Sequence, residues 1–172
     1  MILAYDPGMS LAESYWQMPV GKTSRCGSGW PGDLMLHAST LVIEMPVYQG
    51  GRKLDHAALY KTCTAAGIII GLWRAHFAWG GHMGTRGLEP PVYAVPRAAI
   101  MSQLGVKGGD KELTQHFRWL KLLTGDYDKG GSFRVSGPDW MVNDHLRAAY
   151  AVSMFNIADP RNQKYKVPNE TL

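Results

Sequence analysis

The segment TLVIEMPV, from Thr40 to Val47, constrains the fold more than any other part of the chain. It is an unbroken apolar run with a single charged residue, Glu44, inside it. Such a run leaves no polar face that would point to solvent, and it is typical of a strand that is covered on both sides. Strands of this kind occur in parallel or mixed sheets with helices packed on them. The segment therefore predicts a layered α/β domain.

Other segments supply the remaining layers. Shorter strands are predicted at Ile2–Tyr5, Ser14–Val20 and Val92–Val95, with Pro19 ending the second strand or placing it at a sheet edge. Helices are predicted from Asp55 to about Trp79, in PRAAIMSQL with Pro96 in the first turn, after the capping residue Asp110, and from about Asn143 to Ile157. The glycine-rich stretches GKTSRCGSGWPGD and DYDKGGSFRVSGPDW are predicted as loops. The order of strands, helix, strand and helices predicts an α/β fold, a mixed β-sheet flanked by α-helices.

The length of 172 residues suits one domain with its own core. Residues 1–158 are predicted to form that domain, and residues 159–172 a flexible C-terminal tail. A hydrophobic content of 45% and a charged content of 19% exclude a disordered chain. The formal net charge of +4 favours an anionic partner.

Several cellular contexts are excluded by simple features. No secretory signal is visible, and the longest apolar stretch, AAGIIIGLW, is shorter than the roughly 20 residues that cross a bilayer. Cys26 and Cys63 are too few for a disulfide framework, and Cys63 is predicted to be a buried thiol in a helix. We expect a cytoplasmic protein without a membrane partner.

Three carboxylates stand among apolar neighbours. Asp6 ends the first strand, Glu44 lies inside the strongest strand, and Asp144 begins the last helix. A lone buried carboxylate costs several kcal/mol unless it is paired or bound to a metal. If the three converge, their repulsion requires a cation, and oxygen ligands without a matched Cys/His set favour Mg²⁺ or Mn²⁺ over zinc.

Each acid also has an ordinary structural explanation. Asp6 is placed to cap the turn made by Pro7 and Gly8, and Asp144 to cap the last helix. Glu44 has Arg52 and Lys53 nearby as ion-pair partners. Taken singly these roles are the commoner ones, and only the three acids together favour a metal site.

Five segments, in order, resemble RuvC-type Holliday-junction resolvases of the RNase H-like superfamily. ILAYDPG is similar to the family's first-strand motif and VIEMPVY to its second acidic strand. LYKTCTAAGIIIGLW resembles the central helix, VYAVPRAAIMSQLGVKGGDKELTQ the strand, helix, glycine-rich turn and helix, and NDHLRAAYAVSMF the terminal helix with the last acid. The resemblance implies an RNase H-like fold and, from the variety of this family, is compatible with a bacteriophage or viral member.

The resemblance also implies an activity, a metal-dependent endonuclease that cuts Holliday junctions and other branched DNA and leaves 5′-phosphate ends. Asp6, Glu44 and Asp144 would hold two Mg²⁺ ions, which Mn²⁺ would replace, with no small-molecule cofactor. Lys111, in the glycine-rich turn, would contact the phosphate near the cut.

The chain departs from the family at its last helix, which usually carries two acids one turn apart. Here the residue one turn after Asp144 is Arg147; if Asp144 is instead the second acid, the first falls on Met141. Asp139, in the preceding loop, is a candidate replacement, although a turn after Pro138 is its commoner role.

DNA contacts are expected around the acids. The candidates for phosphate contacts are Gln49, Arg52, Lys53, Arg97 and Lys107. Tyr48 is placed either to stack on an unpaired base or to pack in the core. The six histidines show no metal-ligand spacing, and helical tryptophans such as Trp73 are expected to pack. Because a four-way junction is two-fold symmetric, a homodimer is expected, with the helix after Asp55 as part of its interface.

Three other functions remain open. The same fold could act on flaps or RNA–DNA hybrids, which a panel of substrates separates. A non-catalytic nucleic-acid-binding module would lack Mg²⁺-dependent cutting. A sugar-kinase-like ATPase shares a first strand ending in Asp and Gly, but it needs two such domains, for which this chain is too short.

Overall fold

The computed structural model describes residues 2–7, 14–18, 25–28, 38–46, 56–78, 90–119, 124–127, 133–136 and 144–169. No helix in these ranges has both the length and the apolar composition needed to cross a membrane.

A mixed sheet of five strands organises the described part of the chain, in the order β3-β2-β1-β4-β5. Its strands are β1 (Ile2–Asp6), β2 (Ser14–Met18), β3 (Arg25–Ser28), β4 (Thr40–Met45) and β5 (Val92–Pro96). β1, β4 and β5 are parallel, whereas β2 is antiparallel to both of its neighbours. This mixed sheet, with the helices described next, confirms the predicted α/β fold class.

Helices cover both faces of the sheet. They are α1 (His56–Ala78), α2 (Arg97–Gln103), α3 (Asp110–Trp119) and α4 (Asp144–Ser153). α1 connects the parallel strands β4 and β5 and packs on one face, while residues of α2, α3 and α4 share a core with the other. A crossover helix is required here because parallel neighbours cannot be joined by a tight turn.

Two hydrophobic clusters follow the alternation of side chains along the strands. Leu3, Tyr5, Leu41 and Ile43 pack with α1, whereas Ala4 and Val42 pack with α3 and α4. The strand β4 is therefore buried on both sides, as its unbroken apolar sequence predicts.

Helix α1 lies within one residue of its predicted bounds at either end. Trp73 is fully buried, and its indole Nε1 donates to the Pro90 carbonyl oxygen at 3.2 Å, which confirms its packing role. Cys63 is exposed, so the prediction of a buried thiol is wrong. The helix turns Ala66, Ile69 and Trp73 towards the sheet, and Cys63 falls on a flank outside that contact.

Two parts of the sequence that were predicted as loops contain strands. β3 pairs with β2, and β6 (Thr124–Tyr127) pairs with β7 (Phe133–Ser136) in a separate antiparallel hairpin. The sequences of β3 and β6, RCGS and TGDY, carry no strong strand pattern, and the alternating β7 sequence, FRVS, is only four residues long. Strand formation depends on cross-strand partners as well as on local preference, so such segments are missed.

The segment predicted to be a flexible tail makes specific contacts. A 3₁₀ helix spans Pro160–Tyr165, and Asp159 caps it by accepting a hydrogen bond from the Arg161 backbone. Further on, the Val167 N–H donates to the Val92 carbonyl at 2.8 Å. The segment thus covers the edge of β5, where unpaired backbone groups would otherwise be open to other chains.

Candidate metal centre

Parallel strands bring three of the predicted site residues to one edge of the sheet. Asp6 ends β1, Glu44 lies one residue before the end of β4, and Arg97 follows the last residue of β5. The carboxyl ends of parallel strands lie at the same edge, which is where open α/β sheets place their ligand sites.

Asp6 and Glu44 are neighbours on the same face. The register pairs Tyr5 with Ile43, so the next positions on the two strands are Asp6 and Glu44, about 4.8 Å apart along the sheet. Because side chains alternate, both carboxylates share the face of Ala4 and Val42, on which α4 packs. Their side chains are each only 13% exposed.

Glu44 is held by an arginine on the next strand. Arg97 Nη1 donates to both carboxylate oxygens, at 3.2 Å to Oε1 and 3.1 Å to Oε2. Val95 lies opposite Glu44 in the ladder, and Pro96 leads directly into Arg97, the first residue of α2. The arginine predicted to bind DNA phosphate therefore contacts a predicted metal ligand.

Asp6 is contacted by a histidine from the last helix. His145 Nδ1 lies 3.2 Å from Asp6 Oδ2, although the two residues are 139 positions apart. Since a carboxylate only accepts, the imidazole donates from Nδ1. The contact brings the first turn of α4, which begins at Asp144, to the end of β1. The Asp144 side chain lies outside the description.

Arg147 is buried at the position where the resemblance implies a second acid. Arg147 is only 8% exposed and lies one helical turn after Asp144. Because this position holds an arginine, α4 carries Asp144 as an acid but no second acid one turn later. Asp139, the predicted replacement, lies outside the described residues.

The loop from Gly105 to Gly109 and the first turn of α3 each carry one of the predicted phosphate contacts. Lys107 and Lys111 are both exposed. Between them, Gly108 has φ +135°, a conformation that side chains disfavour, and a Cβ there would lie 2.5 Å from Glu112.

The side chain of Glu112 caps the N-terminus of α3, the helix to which it belongs. Its Oε2 accepts a hydrogen bond from the Gly109 N–H at 2.7 Å, as in a capping box. This bond, with one from its own N–H and the charge of Lys111, holds the pKa of Glu112 below its usual value. The N-terminus of α3 is thus stabilised by a negative charge from the same helix.

The residues present fit a hard divalent cation. Asp6 and Glu44 offer adjacent carboxylate oxygens that are largely shielded from water, and Mg²⁺ prefers such ligands. Each acid already contacts a basic side chain, Arg97 at Glu44 and His145 at Asp6, so a bound cation would share both carboxylates with these groups. Among the side chains that are described, no three His, Cys, Asp or Glu groups cluster as a ligand set. The assignment of Asp144 as a third ligand stays a prediction.

Sequence reasoning missed the role of the basic residues. His145 has no second histidine at metal-ligand spacing, so the pattern of histidines does not single it out. The one sequence feature that points to His145 is its position next to Asp144. The predicted DNA contacts Tyr48, Gln49, Arg52 and Lys53 lie outside the described residues.

Comparison with known proteins gives similarity in three-dimensional structure alone. No family model and no curated protein matches the sequence. The chain is similar to the structure of Thermus thermophilus RuvC in complex with a Holliday junction substrate, with 14% identity and a TM-score of 0.44. It is also similar to a second Thermus thermophilus RuvC structure, with 14% identity and a TM-score of 0.43. Each alignment covers 88% of this chain and 89% of the other. The fold itself is defined by the strand order and register described above.

Proposed function

We propose that this protein is a metal-dependent endonuclease that cuts branched DNA, with the four-way Holliday junction as its main substrate. The observation that carries the proposal is the pair of shielded carboxylates, Asp6 and Glu44, side by side at the carboxyl edge of parallel strands. The start of α4 against Asp6 supports Asp144 as the third acid.

Asp6, Glu44 and Asp144 would hold Mg²⁺, or Mn²⁺ in its place. Two bound ions would supply a nucleophilic water and stabilise the leaving 3′ oxygen. The acids would fix the positions of the ions, and the shared core of β1, β4 and α4 supports a rigid arrangement of these elements. Water adds to phosphorus as the bond to the 3′ oxygen breaks, so the products carry 5′-phosphate and 3′-hydroxyl ends.

Lys107, in the loop before α3, and Lys111, in the first turn of α3, would contact the DNA backbone. Lys107 and Lys111 are exposed, and Lys111 would stabilise charge at the reacting phosphate. Tyr48, Gln49, Arg52, Lys53 and Arg97 are proposed as further contacts. Contacts of this kind give affinity without sequence preference and weaken as salt rises.

A homodimer would match the two-fold symmetry of the junction. Helix α1 supports this, because Tyr60, Ile68 and Leu72 are its large exposed hydrophobic residues, at 74%, 40% and 44% exposure. Together with Thr64 they are spaced four residues apart, so they form one stripe on the helix. We propose that this stripe, named the α1 stripe, packs against a second copy, and that the dimer acts in the cytoplasm.

The test is cleavage of a synthetic four-way junction, labelled on each strand, with Mg²⁺ or with EDTA. Paired nicks in opposing strands, only with Mg²⁺ and with 5′-phosphate ends, are expected. Flaps, linear duplex and RNA–DNA hybrid serve as comparison substrates. Preferential cutting of one of these would change the substrate, and no cutting of any would overturn the nuclease proposal.

A second candidate is a nucleic-acid-binding module without catalysis. Buried Arg147, in place of an acid on α4, is the observation that favours it. Such a module would bind junctions equally well with Mg²⁺ and with EDTA and would cut none of the panel.

A further inference from the structure

The guanidinium of Arg97 lies where a cation would meet Glu44. One nitrogen, Nη1, contacts both carboxylate oxygens at 3.1 and 3.2 Å. These are the oxygens that the proposed function assigns to a metal ion. An ion that binds them in the same way must displace the arginine.

The ion pair is fixed by the fold. Glu44 and Val95 are partners in the β4–β5 ladder, and Arg97 follows two residues later at the first position of α2. The side chains are 27% exposed for Arg97 and 13% for Glu44, so water screens their attraction less than it does on an open surface. Arg97 is thus a strong competitor for the carboxylate.

We propose that Arg97 is an internal counter-ion, which competes with the metal for Glu44 and is drawn away by a DNA phosphate. This inference rests on the proposed function. A guanidinium binds phosphate as well as carboxylate, so the bound strand offers it a second partner beside the site. When Arg97 moves to the phosphate, the metal no longer competes with its guanidinium for Glu44.

The exchange makes metal and DNA binding cooperative. Each ligand lowers the free energy of binding of the other by the same amount, because both draw on the same ion pair. The protein binds the metal weakly without DNA and tightly with it. The metal centre is therefore complete only in the complex with substrate.

The first experiment measures Mn²⁺ affinity of the full chain by calorimetry without DNA. Arg97→Gln and Arg97→Ala should raise the affinity about tenfold or more, the change that one nearby unit charge makes in proton binding. Arg97→Lys keeps the charge and should stay near the wild type. Lys61→Gln removes an exposed charge on α1 and should change nothing.

The second experiment measures affinity for a four-way junction in EDTA, where no cutting occurs. Glu44→Gln should tighten binding because it removes the carboxylate charge that competes with DNA phosphate for Arg97. Arg97→Gln should weaken binding and lower the slope of log affinity against log salt concentration by about one. In the double variant the gain from Glu44→Gln should disappear, which a double-mutant cycle quantifies.

The outcomes separate this inference from the proposed function. If Glu44→Gln removes Mn²⁺ binding while the Arg97 variants bind Mn²⁺ no better than wild type, Arg97 is a structural partner and the inference fails alone. If Glu44→Gln leaves Mn²⁺ binding intact, the metal centre itself is wrong. Should Arg97→Gln and Arg97→Ala lose their fold, as judged by thermal unfolding, the Glu44→Gln variant still decides: unchanged or weaker DNA binding overturns the inference.

Discussion

His145 Nδ1 contacts Asp6 Oδ2 at 3.2 Å and so joins the start of α4 to the end of β1. Asp6 is 13% exposed, whereas His145 is 64% exposed, so the histidine covers the carboxylate from the solvent side. A donor in this place orients the carboxylate as outer partners orient metal ligands.

His145→Ala should therefore weaken Mn²⁺ binding and slow junction cleavage, each about 10–100-fold. Calorimetry and single-turnover cleavage are the measurements, and His56→Ala, at the exposed start of α1, is the matched control. A variant with slower cleavage but wild-type Mn²⁺ affinity would show that His145 acts on the DNA and not on Asp6.

Asp6→Asn and Glu44→Gln should each lower cleavage by more than about 100-fold, since a lost ligand costs more than a lost outer partner. Junction binding should persist, because phosphate contacts supply most of the affinity. Gel shift and cleavage assays on the same junction check both points. Asp159→Asn, an acid of the C-terminal segment, should cut normally. Cleavage by Glu44→Gln at the wild-type rate would contradict the proposed metal centre.

Ile68→Glu and Leu72→Glu should convert a dimer into monomers without unfolding the chain. Both side chains lie on the exposed α1 stripe, where a charge clashes only with a second copy. Light scattering after gel filtration gives the mass, and circular dichroism checks the fold. Ser102→Glu, exposed on α2, is the control and should leave the mass unchanged. A wild-type protein that is monomeric at all concentrations would contradict the stripe as an interface.

Trp73→Ala should lower the free energy of unfolding by about 3–5 kcal/mol, because it empties a fully buried site between α1 and the sheet. Trp73→Phe keeps most of the volume but leaves the Pro90 carbonyl without its indole donor, so a loss of about 1–3 kcal/mol is expected. Urea unfolding measures both losses of free energy, and the dependence of that free energy on urea concentration should be the same as in the wild type. Exposed Gln115→Ala should stay within about 0.5 kcal/mol of the wild type.

Acid should remove the contribution of Glu112 to stability. Its pKa in the folded protein lies below the ordinary value of 4.5, chiefly because the Gly109 N–H binds the carboxylate. Its stabilisation is thus complete above that ordinary value and is lost as pH falls through the folded pKa. Glu112→Gln should melt below wild type at pH 7 and alongside it once the carboxyl is protonated. An equal difference in melting temperature at both pH values would contradict this.

Local pattern was enough for the elements whose residues decide their own structure. The run at β4 predicts a strand buried on two sides, and α1 is found within a residue of its predicted bounds. β3 and β6 were missed because their short sequences, RCGS and TGDY, become strands only through their partners. β7, FRVS, does alternate apolar and polar residues, but it is only four residues long and lies in a glycine-rich stretch. The exposure of Cys63 was missed for a related reason, since the rotation of α1 on the sheet is set by packing.

The sequence by itself determined which acids stand among apolar neighbours, Asp6 at the end of one strand and Glu44 inside another. The parallel pairing of β1 and β4 in the tertiary structure placed these two acids side by side at one sheet edge. Only the tertiary structure decided which basic groups meet them. Arg97 reaches Glu44 across 53 positions and His145 reaches Asp6 across 139, through the register of parallel strands and the docking of α4. Periodicity reports the face on which a residue lies, whereas contacts between distant elements depend on how those faces pack together.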